Sequence, residues 1–381
     1  MSSHAERTRR GRAAQVVAPT AIRPCGKSPT GGYLTERPGA VEQHAELCRY
    51  RTHEGCPRIR ASRPWGGTTD GAWREKPTRR NNVKNDNWSG SFAIPMTPFD
   101  DSDRIDENAL EAEIEFCIAS KVGGIVVPVM VSEFRALSED ERREMVRITL
   151  QVANGRVPVV ANCAAVNTPL AVRYAENFQK LGADAMIAMP PYTLVPDYPT
   201  IREYFRAISD AVAVPIWIQN VAFARLSVDQ VVSLCEEIEN VSWVKEEVPP
   251  TPRSIGAITE RNSAAVKGVM GGVGGRLLMA ERARGSKGVV HACQFCDLIQ
   301  RVWELLDAGS DDEAQDLFDI VLPGLVAEQA LGMGFAKEIM VRRGVLKNNR
   351  VRSQAVSLDP LDLAEVDRVW RRIEPHLIWH P

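Results

Sequence analysis

The sequence predicts an α/β protein: an eight-stranded (β/α)8 TIM barrel with extra C-terminal helices. Three observations predict it. From Trp88 onward, apolar runs of strand length alternate eight times with longer amphipathic runs. Helical stretches long enough to act as crossovers join these runs, which makes the strands parallel. The turn after the first run, Thr97-Pro98-Phe99, lacks the glycines that an open dinucleotide-binding sheet carries there.

The elements follow in order. Ser91–Met96 is the first strand, and Asp106 caps a helix from Glu107 to about Ser120. Gly124–Val129 is the second strand; Pro128 has no N–H to donate and so belongs at its end. Ser138 and Glu141 form a capping box for a helix to about Ala153. Val157–Ala161 is the third strand, and the helix Thr168–Leu181 stops at Gly182. Ala185–Met189 and Pro215–Gln219 are the next strands, with a helix at about Thr200–Ala211 between them. The helix Ser227–Glu237 leads to Val241–Lys245, a strand ending at its lysine before a proline-rich turn. After a helix at Arg253–Arg261, Ala265–Met270 is the seventh strand and Gly288–His291 the eighth. Helices near 297–307, 311–330 and 362–373 exceed what the barrel needs.

The chain of 381 residues divides at about residue 86. Residues 1–86 have no sustained period, and Lys and Arg outnumber Asp and Glu by roughly two to one. They read as a disordered or non-catalytic basic extension; a nucleic-acid arm is the weaker reading, and no nucleic-acid partner is expected. Residues 87–295 form the barrel and 296–381 the helices packed on it. No apolar run approaches a membrane span, and the first residues lack a signal-peptide core. Eight scattered cysteines suggest reduced thiols and a cytoplasmic protein. His44, Cys48, His53 and Cys56 have no paired C-x-x-C to make a zinc site, so no metal is expected.

In such barrels the reactive residues sit at the carboxyl ends of the strands. Those ends carry Thr97, Met130-Val131-Ser132-Glu133, Asn162, Tyr192, Gln219-Asn220, Lys245-Glu246, Gly271-Gly272 and His291. Lys245 stands out. A lysine at the end of a buried strand is paired with an acid or sheds its proton, and a neutral amine attacks a carbonyl carbon to give a Schiff base. A pairing with Glu246 or Glu247 is the bland reading. Tyr192 is either an aromatic lid or a phenol that moves protons near the lysine adduct.

Residues 90 to 375 resemble the dihydrodipicolinate synthase / N-acetylneuraminate lyase family of class I aldolases and dehydratases. The resemblance rests on Met189-Pro190-Pro191-Tyr192, Val244-Lys245-Glu246, Ser132-Glu133 with Leu137 to Arg142, and Arg156-Val157-Pro158-Val159. It implies a Schiff base between Lys245 and a 2-oxo acid, Tyr192 as the acid/base phenol, a homotetramer or homodimer, and no metal or organic cofactor. The family's Gly-Thr-Thr-Gly-Glu turn, which holds the substrate carboxylate, is here Val129-Met130-Val131-Ser132-Glu133. Both threonine hydroxyls are gone, leaving Val131 and the Ser132 hydroxyl and N–H as substrate contacts. The synthase's arginine after the tyrosine has no counterpart in Thr193–Tyr198. Both losses count against dihydrodipicolinate synthesis. The dehydratases of 2-keto-3-deoxy sugar acids look closest, sharing Ile218-Gln219-Asn220. Gln219, Asn220 and Gly271 complete the expected substrate contacts.

Three weaker signals remain. Gly271-Gly272-Val273-Gly274-Gly275 is a tight turn more readily than a phosphate cradle, Cys293-Gln294-Phe295-Cys296 reads as plain thiols, and Lys337, Arg342 and Arg343 read as a solvated helix face. The competing functions are a Schiff-base dehydratase or aldolase, a synthase-type condensation of pyruvate with an aldehyde, and a non-catalytic barrel that binds a small acid.

Overall fold

The computed structural model describes residues 87–194, 196–353 and 357–380. The expectations for residues 1–86 lie outside these residues. Eight parallel strands close into one barrel, with β8 pairing back onto β1. They are β1 Gly90–Ile94, β2 Gly124–Val127, β3 Val159–Asn162, β4 Ala185–Ala188, β5 Ile216–Val221, β6 Val241–Glu247, β7 Gly268–Gly271 and β8 Gly288–Ala292. The helices between them are α1 Glu107–Ala119, α2 Glu139–Ala153, α3 Thr168–Leu181, α4 Tyr198–Ala211, α5 Val228–Glu237, α6 Thr251–Glu260 and α7 Leu278–Arg282. Then come α8 Cys296–Asp307, α9 Asp311–Leu331, α10 Met333–Arg342 and α11 Pro360–Ile373.

Local chemistry sets the helix starts. The Asp106 carboxylate accepts from Ala109 N, Asn167 caps α3 and Asp197 caps α4. Ser138 with Glu141, and Ser227 with Gln230, close reciprocal capping boxes.

The strands are buried on both faces, with alternate side chains serving two cores. Phe92, Ile94, Val126, Val160, Ile187, Trp217, Trp243, Met270 and Val290 fill the lumen. Their neighbours in sequence, among them Ala93, Ile125, Ala161, Ile218 and Val244, pack outward against the helices. Trp88 joins the lumen cluster from below β1. Its ring lies 5.6 Å from Trp217 and 5.3 Å from Trp243, which stack on each other at 5.4 Å. Aromatic rings therefore plug the lower lumen and leave the carboxyl end of the barrel as the place for polar groups.

Three expectations need correction. The helix near 297–307 is not surplus: α8 packs on β1 and β8 and completes the ring, so the additional helices are α9, α10 and α11. The strand bearing Lys245 does not end there but runs on to Glu247, hydrogen-bonded to β5 through Asn220↔Glu246 and Val221↔Glu247. Lys337 and Arg343 are not solvated, being 0% and 3% exposed. Lys337 Nζ lies 2.6 Å from Glu133, and Arg343 lies 2.8 Å from Asp297. Only Arg342 keeps a partly exposed position, between Glu338 and Asp367.

Candidate active site

Lys245 projects into the lumen two residues above Trp243, on the same face of β6. It is 3% exposed, so the indole below and the strand walls remove it from water. Two residues further on, the strand period returns Glu247 to that face. Lys245 Nζ and Glu247 Oε1 are 3.4 Å apart. The cross-strand partner of Lys245 is Gln219, which stands two residues above Trp217 on β5. Gln219 Nε2 donates to Glu247 Oε2 at 2.7 Å. Because a carboxylate accepts only, that bond fixes which end of the amide faces it. Gln219 Oε1 is left buried with no hydrogen-bond partner among the described residues.

The loop after β7 completes the cradle. Val273 N donates to Glu247 Oε1 at 3.4 Å. Val273 has φ 45°, a left-handed conformation that a β-branched side chain adopts only under strain. Gly272 has no Cβ because Glu247 occupies that space: a Cβ there would lie 2.3 Å from Glu247 Cγ. Lysine, carboxylate and amide therefore meet at one point, with the carboxylate held from three sides.

A second layer of acids lies behind the strands. Glu246 points outward, accepting from Asn220 Nδ2 at 2.9 Å and from Val248 N at 2.7 Å. Burial pushes its carboxyl up to about 7. Glu281 of α7 accepts from the Thr251 hydroxyl, and burial raises it also to about 7. His291 shares the outward face of β8 with Val289, which packs against α8 and α9. Its Nε2 meets Ser91 Oγ at 2.7 Å and its Nδ1 meets Ala292 O at 2.8 Å. Burial lowers its imidazole to about 4, so it is a neutral structural group and does not line the lumen.

The sequence-predicted contacts divide accordingly. Lys245 and Gln219 come together. Gly271 does not join them: its missing Cβ points outward, 1.8 Å from Glu281 Oε2, and Gly272 is the glycine facing the lumen. Asn220 is also turned outward, where its amide pins Leu226 and Glu246. Ser132 is fully buried; its hydroxyl donates to Pro95 O at 2.7 Å and accepts from Val129 N, while its N–H goes to Val129 O. Both groups expected to bind a carboxylate are thus spent on the backbone. In the same turn, the amides of Met130 and Val131 have no acceptor among the described residues. Tyr192 is half-buried, its ring edge-on to Phe134 at 5.9 Å between centroids and beneath the Arg135 guanidinium. The sequence offers Glu247 only as an ion-pair partner of Lys245, and that pair is present; it does not place Glu247 in the site, because the strand is read as ending at the lysine. The signal was available, since period two from Lys245 lands on Glu247.

No group of three or more metal-binding side chains occurs among the described residues. No helix among them is long and apolar enough to cross a membrane.

Known proteins carry the same arrangement of elements. The profile of the dihydrodipicolinate synthetase family matches residues 87–364. An L-2-keto-3-deoxyarabonate dehydratase from Azospirillum brasilense is 28% identical over 292 residues, which is 75% of this chain and 94% of that protein. A 4-hydroxy-tetrahydrodipicolinate synthase from Mesorhizobium japonicum is 35% identical over 161 residues, 41% of this chain and 55% of the synthase, so the match spans about half of that relative. The crystal structure of dihydrodipicolinate synthase from Rhodopseudomonas palustris superposes with a TM-score of 0.70 at 25% identity, covering 75% of this chain and 98% of that one. With the closed barrel and the profile match across it, the chain belongs to the dihydrodipicolinate synthetase family and is a lyase.

Proposed function

We propose that Lys245 forms a Schiff base with a 2-oxo acid, and that the enzyme dehydrates a 2-keto-3-deoxy sugar acid from that iminium. The observation that carries the reading is the desolvated Lys245 with Glu247 at 3.4 Å, both on the lumen face of β6. The dehydratase relative supports the choice of reaction, being matched over 94% of its length.

Glu247 takes the ammonium proton as the Lys245 nitrogen attacks the C2 ketone, then gives it to the carbinolamine hydroxyl, which leaves as water to form the iminium. The iminium acidifies C3–H. Glu247, brought back to the carboxylate, removes that proton and an enamine forms. The enamine electrons then expel the C4 hydroxyl, and the proton now on Glu247 goes to that oxygen, so water departs. Hydrolysis of the unsaturated iminium frees the 2-oxo product and Lys245. One carboxyl thus serves as base and then as acid on the same face of the substrate. Gln219 Oε1 accepts from a substrate hydroxyl, and the amides of Met130 and Val131 receive the C1 carboxylate. Tyr192 lines the mouth above them. The working unit is a homodimer or homotetramer.

Condensation of pyruvate with an aldehyde starts from the same iminium and has support in the synthase relatives. The β2 turn argues for dehydration, because no threonine hydroxyl remains in it to relay a proton.

Borohydride reduction with pyruvate tests the first step. The expected result is a mass increase on the peptide carrying Lys245. An unmodified lysine would instead support a barrel that only binds small acids. Glu247→Gln is expected to form the trapped adduct more slowly, yet still to completion on long incubation, and to lower kcat for dehydration by about 10²–10⁴-fold. Full turnover in that variant would remove Glu247 from the mechanism.

A further inference from the structure

We propose that Arg135 anchors a second carboxylate, at the end of the substrate remote from the ketone, so that the pocket is built for a 2-oxo sugar diacid. This rests on the Schiff-base reading above and adds the substrate's distal group to it. Arg135 follows β2, yet its guanidinium lies 5.8 Å from the centroid of Phe134, 5.3 Å from that of Tyr192 and 5.2 Å from that of Phe223. Those rings belong to the loops after β2, β4 and β5. A side chain that touches all three loops crosses the barrel mouth. Phe223 is four residues past Gln219, the cross-strand partner of Lys245, so the cation stands on the lysine's side of that mouth.

Arg135 is an exposed residue, and its guanidinium forms no ion pair with a carboxylate among the described residues. Its neighbours Arg142, Arg143 and Arg147 are all spent on carboxylates or backbone carbonyls. Aromatic faces around a guanidinium strip water from its plane and leave its N–H edge free, the geometry that takes a carboxylate through two parallel bonds. The backbone beneath is held in place. Phe134 O accepts from Arg142 Nε at 2.9 Å, and Glu133 is tied to Lys337 at 2.6 Å. A cation fixed at the rim is suited to the far end of a chain whose C2 is bonded to a lysine at the pocket floor. The C1 carboxylate, adjacent to that carbon, stays below near the β2 amides.

The test compares 2-keto-3-deoxy sugar acids of equal length that end in CH2OH or in a carboxylate. Wild type, Arg135→Gln and Arg135→Lys are assayed as full chains. The expected result is a wild-type kcat/KM at least tenfold higher for the diacid, a ratio that collapses in Arg135→Gln chiefly through KM and returns in part in Arg135→Lys. A wild-type preference for the monoacid, or an equal loss on both substrates, overturns the proposal. So does a change in sedimentation coefficient in Arg135→Gln, which would give the residue to a subunit contact. Borohydride trapping of pyruvate, which has no distal carboxylate, separates the two readings: an adduct in wild type and Arg135→Gln without a diacid preference in turnover defeats only this proposal, and no adduct defeats both.

Discussion

Glu247 is usable as a base because its surroundings fix both oxygens. Gln219 holds one from the neighbouring strand, and Lys245 and Val273 N meet the other. Val273 adopts a left-handed backbone to reach it, at a cost of about 1–2 kcal/mol. Replacing it with glycine removes that cost and frees the loop. We expect Val273→Gly to hold or raise the thermal midpoint while lowering kcat several-fold. A variant that loses stability and keeps its rate would show that the strain serves folding alone. At this scale the sequence was half legible. Lys245 declared itself as a basic residue in an apolar run. Ser132 looked suited to bind a carboxylate because its hydroxyl is visible in sequence, whereas Pro95 O, 37 residues away, is not.

Strand period and strand length decide which glycine matters for what. Gly271 and Gly272 are adjacent in β7 and its turn, so they face opposite sides of the barrel. A methyl group on Gly271 would collide with the buried carboxylate of Glu281; one on Gly272 would collide with Glu247. Gly271→Ala is therefore expected to cost about 1–3 kcal/mol in a urea melt, as overpacking of a filled site does. Gly272→Ala is expected to lose most of its kcat by displacing Glu247, with a smaller change in the melt. Equal effects of the two on rate would show that the faces are not separate. Two helix starts, at Asp106 and Ser138, were legible from local capping chemistry. The end of β6 was not, because its last residues are two glutamates whose strand geometry comes from pairing with β5. The sequence reads as a helix through Lys337 and Arg342, as α10 bears out, but its basic face is assigned there to solvent, because the buried acids Glu133 and Asp297 that pair with Lys337 and Arg343 are distant in sequence.

Across the whole molecule, the C-terminal helices tie down the mouth of the barrel. Lys337 of α10 donates to Thr97 O at 2.7 Å, to Glu133 at 2.6 Å and to Arg350 O at 2.5 Å. The other oxygen of Glu133 accepts from Arg352 N and Ser353 N. The β1 and β2 turns and the segment at 350–353 are thus joined through one buried ion pair. Removing one partner leaves a charge in the interior, so Lys337→Met should cost about 3–5 kcal/mol. The check is chemical denaturation of Lys337→Met beside Glu133→Gln/Lys337→Met, which should recover part of the loss; no recovery would mean that the pair is not what holds the strap. What the sequence determined by itself was periodic and local: eight strands, the caps of several helices, and a lysine in an apolar run. Only the tertiary structure decided which side each strand-end residue faces, which cations are buried, and that Glu247 shares a point in space with Lys245 and Gln219. The physical reason is that alternation and capping act within a few residues, whereas closing the barrel sets the register between strands and the partners of charges more than two hundred positions apart.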